Sequence, residues 1–151
     1  EEPHNNHDDR TTVSSYLTAK LDKDGRWVLS TGGHYGTEQN AATDPVTGGM
    51  KNADWYAVAV NLFYTLDEKW RPGFRAEWFR DDEGVRTAVL KRPGFAASFY
   101  DVTLGVTYKL LPSLSLRPEI RFDWTSSDVR PFNDQTQKAQ FTAAMDAIWR
   151  F

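Results

Sequence analysis

The chain has 151 residues, a formal net charge of −3, a mean hydropathy of −0.61 and no cysteine. The missing cysteines exclude disulfides and thiolate metal sites, and no cluster of Lys and Arg indicates a nucleic-acid partner. Aromatic residues nevertheless make up 14% of this polar chain, with six Trp among them, which is typical of a β-barrel that has one apolar and one polar face.

The first ten residues are polar and acidic, so we expect residues 1–10 to be a loop or disordered. His4 and His7, followed by Asp8 and Asp9, have side chains of the kind that bind transition metals. A solvated loop explains them equally simply, so no metal site and no other cofactor is predicted. Residues 11–151 are predicted to supply the strands of one β-barrel domain that spans residues 1–151.

Alternation of apolar and polar residues predicts about seven strands and no helix. Residues 114–124 show it most clearly, because their even positions are apolar and their odd positions are polar or charged. The other predicted strands are residues 13–21, 27–35, 56–64, 70–78, 100–110 and 141–151.

The connections between these strands differ in length. Short turns are predicted at residues 22–25, 66–68 and 111–113, and long polar loops at residues 37–54, 81–98 and 125–138. Short periplasmic turns at one end and long extracellular loops at the other are typical of an antiparallel up-and-down barrel in the bacterial outer membrane.

Alternation alone also fits a soluble β-sandwich or a lipocalin-like binding module, in which the apolar face points inward. Aromatic residues at both ends of the apolar faces favour the membrane, because such rings concentrate at membrane interfaces. From Trp70 to Trp78 the strand covers about 26 Å, or about 20 Å of membrane thickness when it is tilted. The predicted aromatic girdle comprises Tyr56, Tyr64, Trp70, Trp78, Tyr100, Tyr108, Trp124, Trp149 and Phe151.

Charged residues occupy the opposite faces of the same strands and must avoid lipid, so they are predicted to line the pore. They select solutes, or they form a salt-bridge network that fills a narrow barrel; the pattern allows both. This set comprises Arg71, Arg75, Glu77, Asp101, Lys109, Arg117, Glu119, Arg121, Asp123, Asp146 and Arg150.

A tight turn at residues 111–113 would place Asp101 opposite Asp123, with Arg121 as the diagonal neighbour that offsets their repulsion. We therefore expect an acidic zone near the extracellular mouth. Arg71, Lys109 and Arg150 should gather toward the periplasm.

Nothing in the sequence indicates an enzyme. The chain has three His and no Gly-x-Ser-x-Gly motif, so no catalytic residues are predicted. The acidic residues 81–83 lack the spacing of an EF-hand and are expected to be solvated.

Counting strands back from Phe151, whose aromatic side chain is typical of the last residue of such barrels, leaves the first strand starting outside the cell. Bacterial barrels usually have an even number of strands and both ends in the periplasm. The seven strands are therefore predicted to be the C-terminal part of a larger barrel. The alternative is one further strand within the long loop, at residues 86–90.

Residues 78–86 (WFRDDEGVR) and 116–124 (LRPEIRFDW) resemble stretches of the putative β-barrel porin-2 family, also described as OmpL-like. Residues 131–134 (PFND), 140–142 and 146–147 fit the same pattern. The resemblance implies an outer-membrane barrel of Gram-negative bacteria with a presumed pore.

The predicted function is therefore a porin-like channel for passive diffusion of small hydrophilic solutes or ions. Its expected partners are outer-membrane lipids, the solutes and the barrel assembly machinery, which would recognise the C-terminal strand. The alternatives are a structural or adhesive barrel with a plugged lumen, or the soluble module described above.

Overall fold

The computed structural model describes residues 9–87 and 96–151, and within these ranges the chain forms seven strands and no helix. In chain order they are β1 (Arg10–Lys20), β2 (Trp27–Thr43), β3 (Met50–Tyr64), β4 (Trp70–Asp81), β5 (Ala97–Leu111), β6 (Leu114–Thr125) and β7 (Ala139–Trp149). Each strand pairs antiparallel with the next, giving one sheet in sequence order. The predicted all-β, up-and-down arrangement of seven strands is confirmed.

The edges of this sheet are β1 and β7. In an up-and-down sheet of seven strands the first and last strands run in the same direction, so these two edges cannot pair antiparallel with each other. No helix within residues 9–87 and 96–151 is long and apolar enough to cross a membrane.

The predicted loop at residues 37–54 is wrong, because strands β2 and β3 occupy most of it and leave only residues 44–49 between them. The register between β2 and β3 shifts between Glu38 and Ala42, and Asn40 adopts a positive φ of 49°. A bulge of this kind interrupts the alternation of side chains, so the pattern of period two stops before the strand does.

The two ends of the chain also differ from expectation. Strand β1 begins at Arg10, inside the segment predicted as a loop, and residues 1–8 lie outside the described ranges. Arg10 is held by Glu38, to which its guanidinium donates at 2.7 and 2.9 Å. Strand β7 ends at Trp149 rather than at Phe151, although the Arg150 amide still donates to the Ser113 carbonyl at 2.8 Å.

The predicted short turns are confirmed, as is the loop that follows β6. The Asp22 carboxylate accepts the Trp27 amide at 3.0 Å, and Gly25 adopts a φ of 65°, which a residue with a Cβ rarely adopts. In the alternative strand at residues 86–90, Arg86 and Thr87 lie in a turn, and the other residues fall outside the described part.

The two faces of the sheet are inverted relative to those of a soluble β-protein. On the inner face, Asp101 and Asp123 are only 5% and 7% exposed. On the outer face, Leu104 and Ile120 are 55% and 46% exposed. A soluble sandwich would bury its apolar face against a second layer. A sheet that shelters carboxylates and presents leucine and isoleucine outward is suited to a barrel in lipid.

Candidate functional site

The inner faces of β4 to β7 carry side chains in rows that run across the strands. The register aligns Glu77, Asp101, Asp123 and Gln140 in one row, here called the acidic row. The next row, on the side of the short turns, is the arginine row: Arg75, Thr103, Arg121 and Thr142. The predicted placement of Asp101 opposite Asp123 is confirmed.

Arg121 connects these two rows. Its Nη2 atom lies 3.3 Å from Asp101 Oδ2, which confirms the predicted diagonal contact, and 2.6 Å from Asp123 Oδ1 on the same strand. Gln140 Nε2 donates to Asp123 Oδ2 at 3.1 Å, and Arg75 forms an ion pair with Glu77. Directly opposed side chains lie about 5 Å apart at Cβ, so the carboxylates would repel strongly without these cations.

A third row follows, in which Gly73 faces Gly105 and Gly105 faces Glu119. The Phe63 ring lies over Gly73, where an added Cβ would come within 2.8 Å of it, so glycine at this position makes room for the ring. Beyond it Arg117 lies opposite Asp146 and donates to its two carboxylate oxygens at 2.8 and 2.5 Å.

The basic residues nearest the short turns have no such partners. Arg71, Lys109 and Arg150 line one cavity of about 520 Å³. Within the described residues none of the three forms an ion pair. Asp67 lies near them, but its carboxylate accepts the backbone amides of Lys69 and Trp70 at 2.7 and 2.8 Å. The predicted gathering of these three cations at one end of the inner face is confirmed.

All eleven predicted pore-lining residues therefore share the inner face, but at its two ends their surroundings differ. That they line an open pore stays a prediction.

Aromatic side chains form two belts on the outer face. At the long-loop end, Tyr100 and Trp124 stack with ring centroids 5.4 Å apart, and at the short-turn end Trp70 stacks on Tyr108 at 4.3 Å. Tyr56 and Tyr64 are each joined by a residue that the predicted girdle omits: Tyr35 packs on Tyr56 at 5.4 Å and Trp27 on Tyr64 at 4.5 Å.

A signal for both omitted residues was present in the sequence. Trp27 and Tyr35 have the same spacing as Trp70 and Trp78, so they mark the two ends of one apolar face in the same way. Trp149 and Phe151 are highly exposed, at 75% and 119%. The girdle role of all these residues stays a prediction.

The inner face of β1 to β3 carries fewer charges than that of β4 to β7, and its Arg10–Glu38 ion pair lies at the long-loop end. Trp55 is 3% exposed and its indole lies on Gly36, where any Cβ would overlap the ring. Trp55 Nε1 donates to His34 Nε2 at 3.0 Å, and Ser14 Oγ lies 2.8 Å from His34 Nδ1. Since an indole N–H can only donate, Nε2 of the imidazole accepts, and Nδ1 carries the proton in the neutral ring.

The sequence does not predict the inward position of Trp55, which begins an uninterrupted apolar run at residues 55–60. The inward and the outward residues of this run are both apolar, so no alternation distinguishes the two faces there.

The first turn of the loop after β4 folds against this inner face. Asp81 is fully buried, and its Oδ2 accepts the amides of Arg86 and Thr87 at 2.9 and 2.8 Å. The Arg86 guanidinium then lies 4.8 Å from the centroid of the Trp55 ring.

The third acidic residue of this turn is also engaged, because Glu83 accepts the Asp54 amide at 2.8 Å and Lys51 Nζ at 3.2 Å. The expectation that residues 81–83 are merely solvated is wrong for Asp81 and Glu83, because these carboxylates hold the turn in place. Within the described ranges no three His, Cys, Asp or Glu residues are grouped as a metal site.

Comparison with known proteins gives one family and one solved structure. The family model described as putative beta-barrel porin-2, OmpL-like, matches residues 1–151. A solved structure titled NanC porin, in a rhombohedral crystal form, is similar over 94% of this chain and 79% of its own, with 12% sequence identity and a TM-score of 0.47. No curated protein matches the chain.

Proposed function

Since the chain belongs to the putative β-barrel porin-2, OmpL-like family, we propose that it conducts small hydrophilic solutes or ions by passive diffusion across the outer membrane. We propose no catalytic role. Membership of this porin-like family supports the channel over the soluble alternative.

The observation that carries this proposal is the inversion of the two faces. Charged groups on a membrane barrel are stable only where water or other charges solvate them. The charged rows of β4 to β7 therefore belong on the side of the lumen. Rings of charged side chains in a lumen bias the passage of ions. The unpaired cations at the short-turn end therefore lie where a passing solute would meet them.

Channel activity is tested in planar bilayers with the full-length protein. Reconstitution should give stepwise conductance. Gly105→Trp, which places a large side chain on the inner face, should lower the conductance of each step, because the lumen narrows. Ile120→Trp is the matched control, because it places the same side chain on the outer face. Equal conductance of the two variants would contradict a lumen on the inner side.

The orientation of the faces can be tested separately. The chain contains no cysteine, so single cysteines at positions 120 and 121 give unique sites for spin labels. An apolar quencher dissolved in lipid should reach the label at position 120 more readily than the one at position 121. Greater access at position 121 would reverse the assignment of the two faces.

Contacts with outer-membrane lipids and with the barrel assembly machinery belong to the same proposal. Phe151 is fully exposed beyond the end of β7, which is the geometry that a receptor for the C-terminal strand would require. Its deletion should reduce insertion in cells, whereas deletion of Val46, also exposed but in the loop after β2, should not. Unchanged insertion after deletion of Phe151 would remove this role.

One observation favours a plugged structural barrel as a second candidate. The turn that follows β4 packs on the inner face, held by Asp81 and by Arg86 against Trp55. If this turn fills the lumen, reconstituted protein should show no conductance, and Asp81→Ala should open it by releasing the turn. Conductance of the unaltered protein would exclude the plugged form.

A further inference from the structure

His34, on the inner face of β2, accepts a hydrogen bond from a group that can only donate. Trp55 Nε1 donates to His34 Nε2 at 3.0 Å, and Ser14 Oγ lies 2.8 Å from Nδ1 on the other side of the ring. Because Nε2 accepts, it carries a lone pair, and the imidazole is neutral in this arrangement. A protonated ring would point a second N–H group at the indole N–H, so the contact exists in only one protonation state of His34.

Trp55 has little room to resolve such a conflict within its present position. Its side chain is 3% exposed, and the indole lies against Gly36, where any Cβ would overlap the ring. Two N–H groups that face each other repel, and a buried donor without an acceptor costs free energy. A proton on His34 Nε2 is therefore accommodated only if the imidazole turns away or the indole leaves its place on Gly36.

The indole also supports the first turn of the loop after β4. The Arg86 guanidinium lies 4.8 Å from the centroid of the Trp55 ring, and its Nη1 atom is 3.9 Å from Glu38 Oε2. The backbone amide of Arg86 donates to Asp81 Oδ2 at 2.9 Å. Displacement of the indole would remove one of the two side-chain contacts of Arg86. A single ring thus connects the protonation state of His34 with the position of this turn.

Charged and titratable side chains surround this part of the inner face on every neighbouring element. They are Arg10 and Tyr16 on β1, Glu38 on β2, Lys51 on β3, Asp81 on β4, and Glu83 and Arg86 in the turn. The three carboxylates already accept hydrogen bonds from Arg10, from Lys51 and from backbone amides, and none is hydrogen-bonded to His34. A proton on His34 therefore has no carboxylate partner in place, and it adds positive charge next to the indole that Arg86 covers.

We propose that His34 and Trp55 form an acid-sensitive latch for the turn at residues 81–87. In the neutral state the imidazole accepts from the indole, and the indole supports Arg86. In mild acid the charged imidazole loses this bond, the indole is displaced from Gly36, and the turn loosens from the inner face. Histidine is the side chain that ordinarily changes charge between about pH 5 and pH 8, so the latch would respond in that range. The inference does not depend on whether the lumen conducts.

The test is the mobility of one spin label in the turn, measured on the full-length protein in detergent. The chain contains no cysteine, so Val85→Cys gives a single attachment site. The label should be immobilised at about pH 7.5, mobile at about pH 5, and immobilised again when the pH is restored. A label at position 46, in the exposed loop after β2, is the matched control and should have the same mobility at both pH values. Equal mobility of the label at position 85 at the two pH values would overturn the latch.

Three substitutions identify the groups responsible. His34→Gln offers the indole an amide oxygen that does not titrate, and Trp55→Phe removes the N–H donor while His34 can still take up a proton. Both should abolish the response of the label at position 85. Ser14→Ala changes the other side of the imidazole and should retain the response. A full response in His34→Gln would assign it to the carboxylates around the turn, and a full response in Trp55→Phe would assign it to charge alone; either result overturns the latch.

A second measurement needs no substitution in the turn. In the magnetic resonance spectrum of isotope-labelled protein, the Trp55 indole N–H signal is identified by its absence from Trp55→Phe. This signal should shift, and its exchange with water should become faster, over the same pH range, but not in His34→Gln. An indole signal that stays constant while the label at position 85 becomes mobile would overturn the latch. Both pH responses in a protein without conductance would support the latch and contradict the proposed channel.

Discussion

The charged residues on the inner faces of β4 to β7, here called the charged wall, are paired near the long loops, whereas basic residues near the short turns have no ion pair among the described residues. Near the long loops, Asp101 and Asp123 are buried and share Arg121 as their cation. Near the short turns, Arg71 and Lys109 are exposed and have no ion pair within the described part of the chain. Residue type alone therefore does not separate charges that stabilise the sheet from charges that are free to act on a solute.

Physical chemistry explains why the two ends should respond differently to mutation. Removing one partner of a buried ion pair leaves an uncompensated charge in a poorly solvated place, which is strongly destabilising. Removing an exposed, unpaired cation costs little stability but changes the field that a passing ion meets. Mutations near the long loops should therefore affect mainly the stability of the protein, and mutations near the short turns mainly its ion selectivity.

The largest effect is expected from Arg121→Met. Without Arg121 the buried carboxylates of Asp101 and Asp123 face each other, so the free energy of unfolding should fall by about 3 kcal/mol. Denaturant unfolding followed by tryptophan fluorescence measures it. Adding Asp101→Asn and Asp123→Asn should restore most of the loss, and Lys109→Met, the control, should stay within about 0.5 kcal/mol of the unaltered protein. A loss of unfolding free energy in the control as large as that in Arg121→Met would contradict the proposed difference between the two ends of the wall.

Ion selectivity should show the reverse order. Replacing Lys109 and Arg150 by Gln removes two unpaired cations, so the reversal potential in a salt gradient should shift toward cations. Replacing Asp101 and Asp123 by Asn should produce a smaller shift, because Arg121 already neutralises part of their charge. A larger shift in the aspartate variant would mean that the acidic row, and not the basic end, controls the passage of ions.

Salt concentration tests the same difference between the two ends of the wall without any mutation. Exposed charges are screened within about 3 Å at 1 M salt and about 10 Å at 0.1 M. Selectivity that originates from Lys109 and Arg150 should therefore weaken strongly at high salt, whereas the unfolding free energy should change little. Selectivity that persists at 1 M would indicate close contact between ions and charged groups rather than a long-range field.

The smallest effect is expected at Asp44, in the loop after β2, whose carboxylate is held mainly by backbone amides. Hydrogen bonds from the amides of Thr47 and Val46 lower the pKa of Asp44. A lowered pKa means that the contribution to loop stability is complete above the pKa of an unfolded aspartate, about pH 4, and is lost as the pH falls through the lower folded value.

Amide exchange at Val46 and Thr47 measures this effect, after correction for the intrinsic pH dependence of exchange. Their protection should decline only in acid, and Asp44→Asn should reduce it at neutral pH. If the corrected protection were the same in acid and at neutral pH, the carboxylate would not hold the loop.

Much of the fold could be predicted from local pattern. Alternation predicts a strand at residues 114–124, and β6 runs from Leu114 to Thr125. The turn at residues 111–113 was sufficient to align Asp101 with Asp123. Prediction failed where the pattern was interrupted: the bulge between Glu38 and Ala42 concealed the end of β2.

What the sequence by itself determined is the alternation of faces, the belts of aromatic residues and the order of the strands, because a period of two follows from the backbone of a single strand. Only the tertiary structure decided which charges are paired and which are free. Ion pairs such as Arg117–Asp146 join different strands, and the contact between Trp55 and His34 does too. Such contacts depend on the register between strands, and a shift of one residue would send every side chain of a strand to the other face.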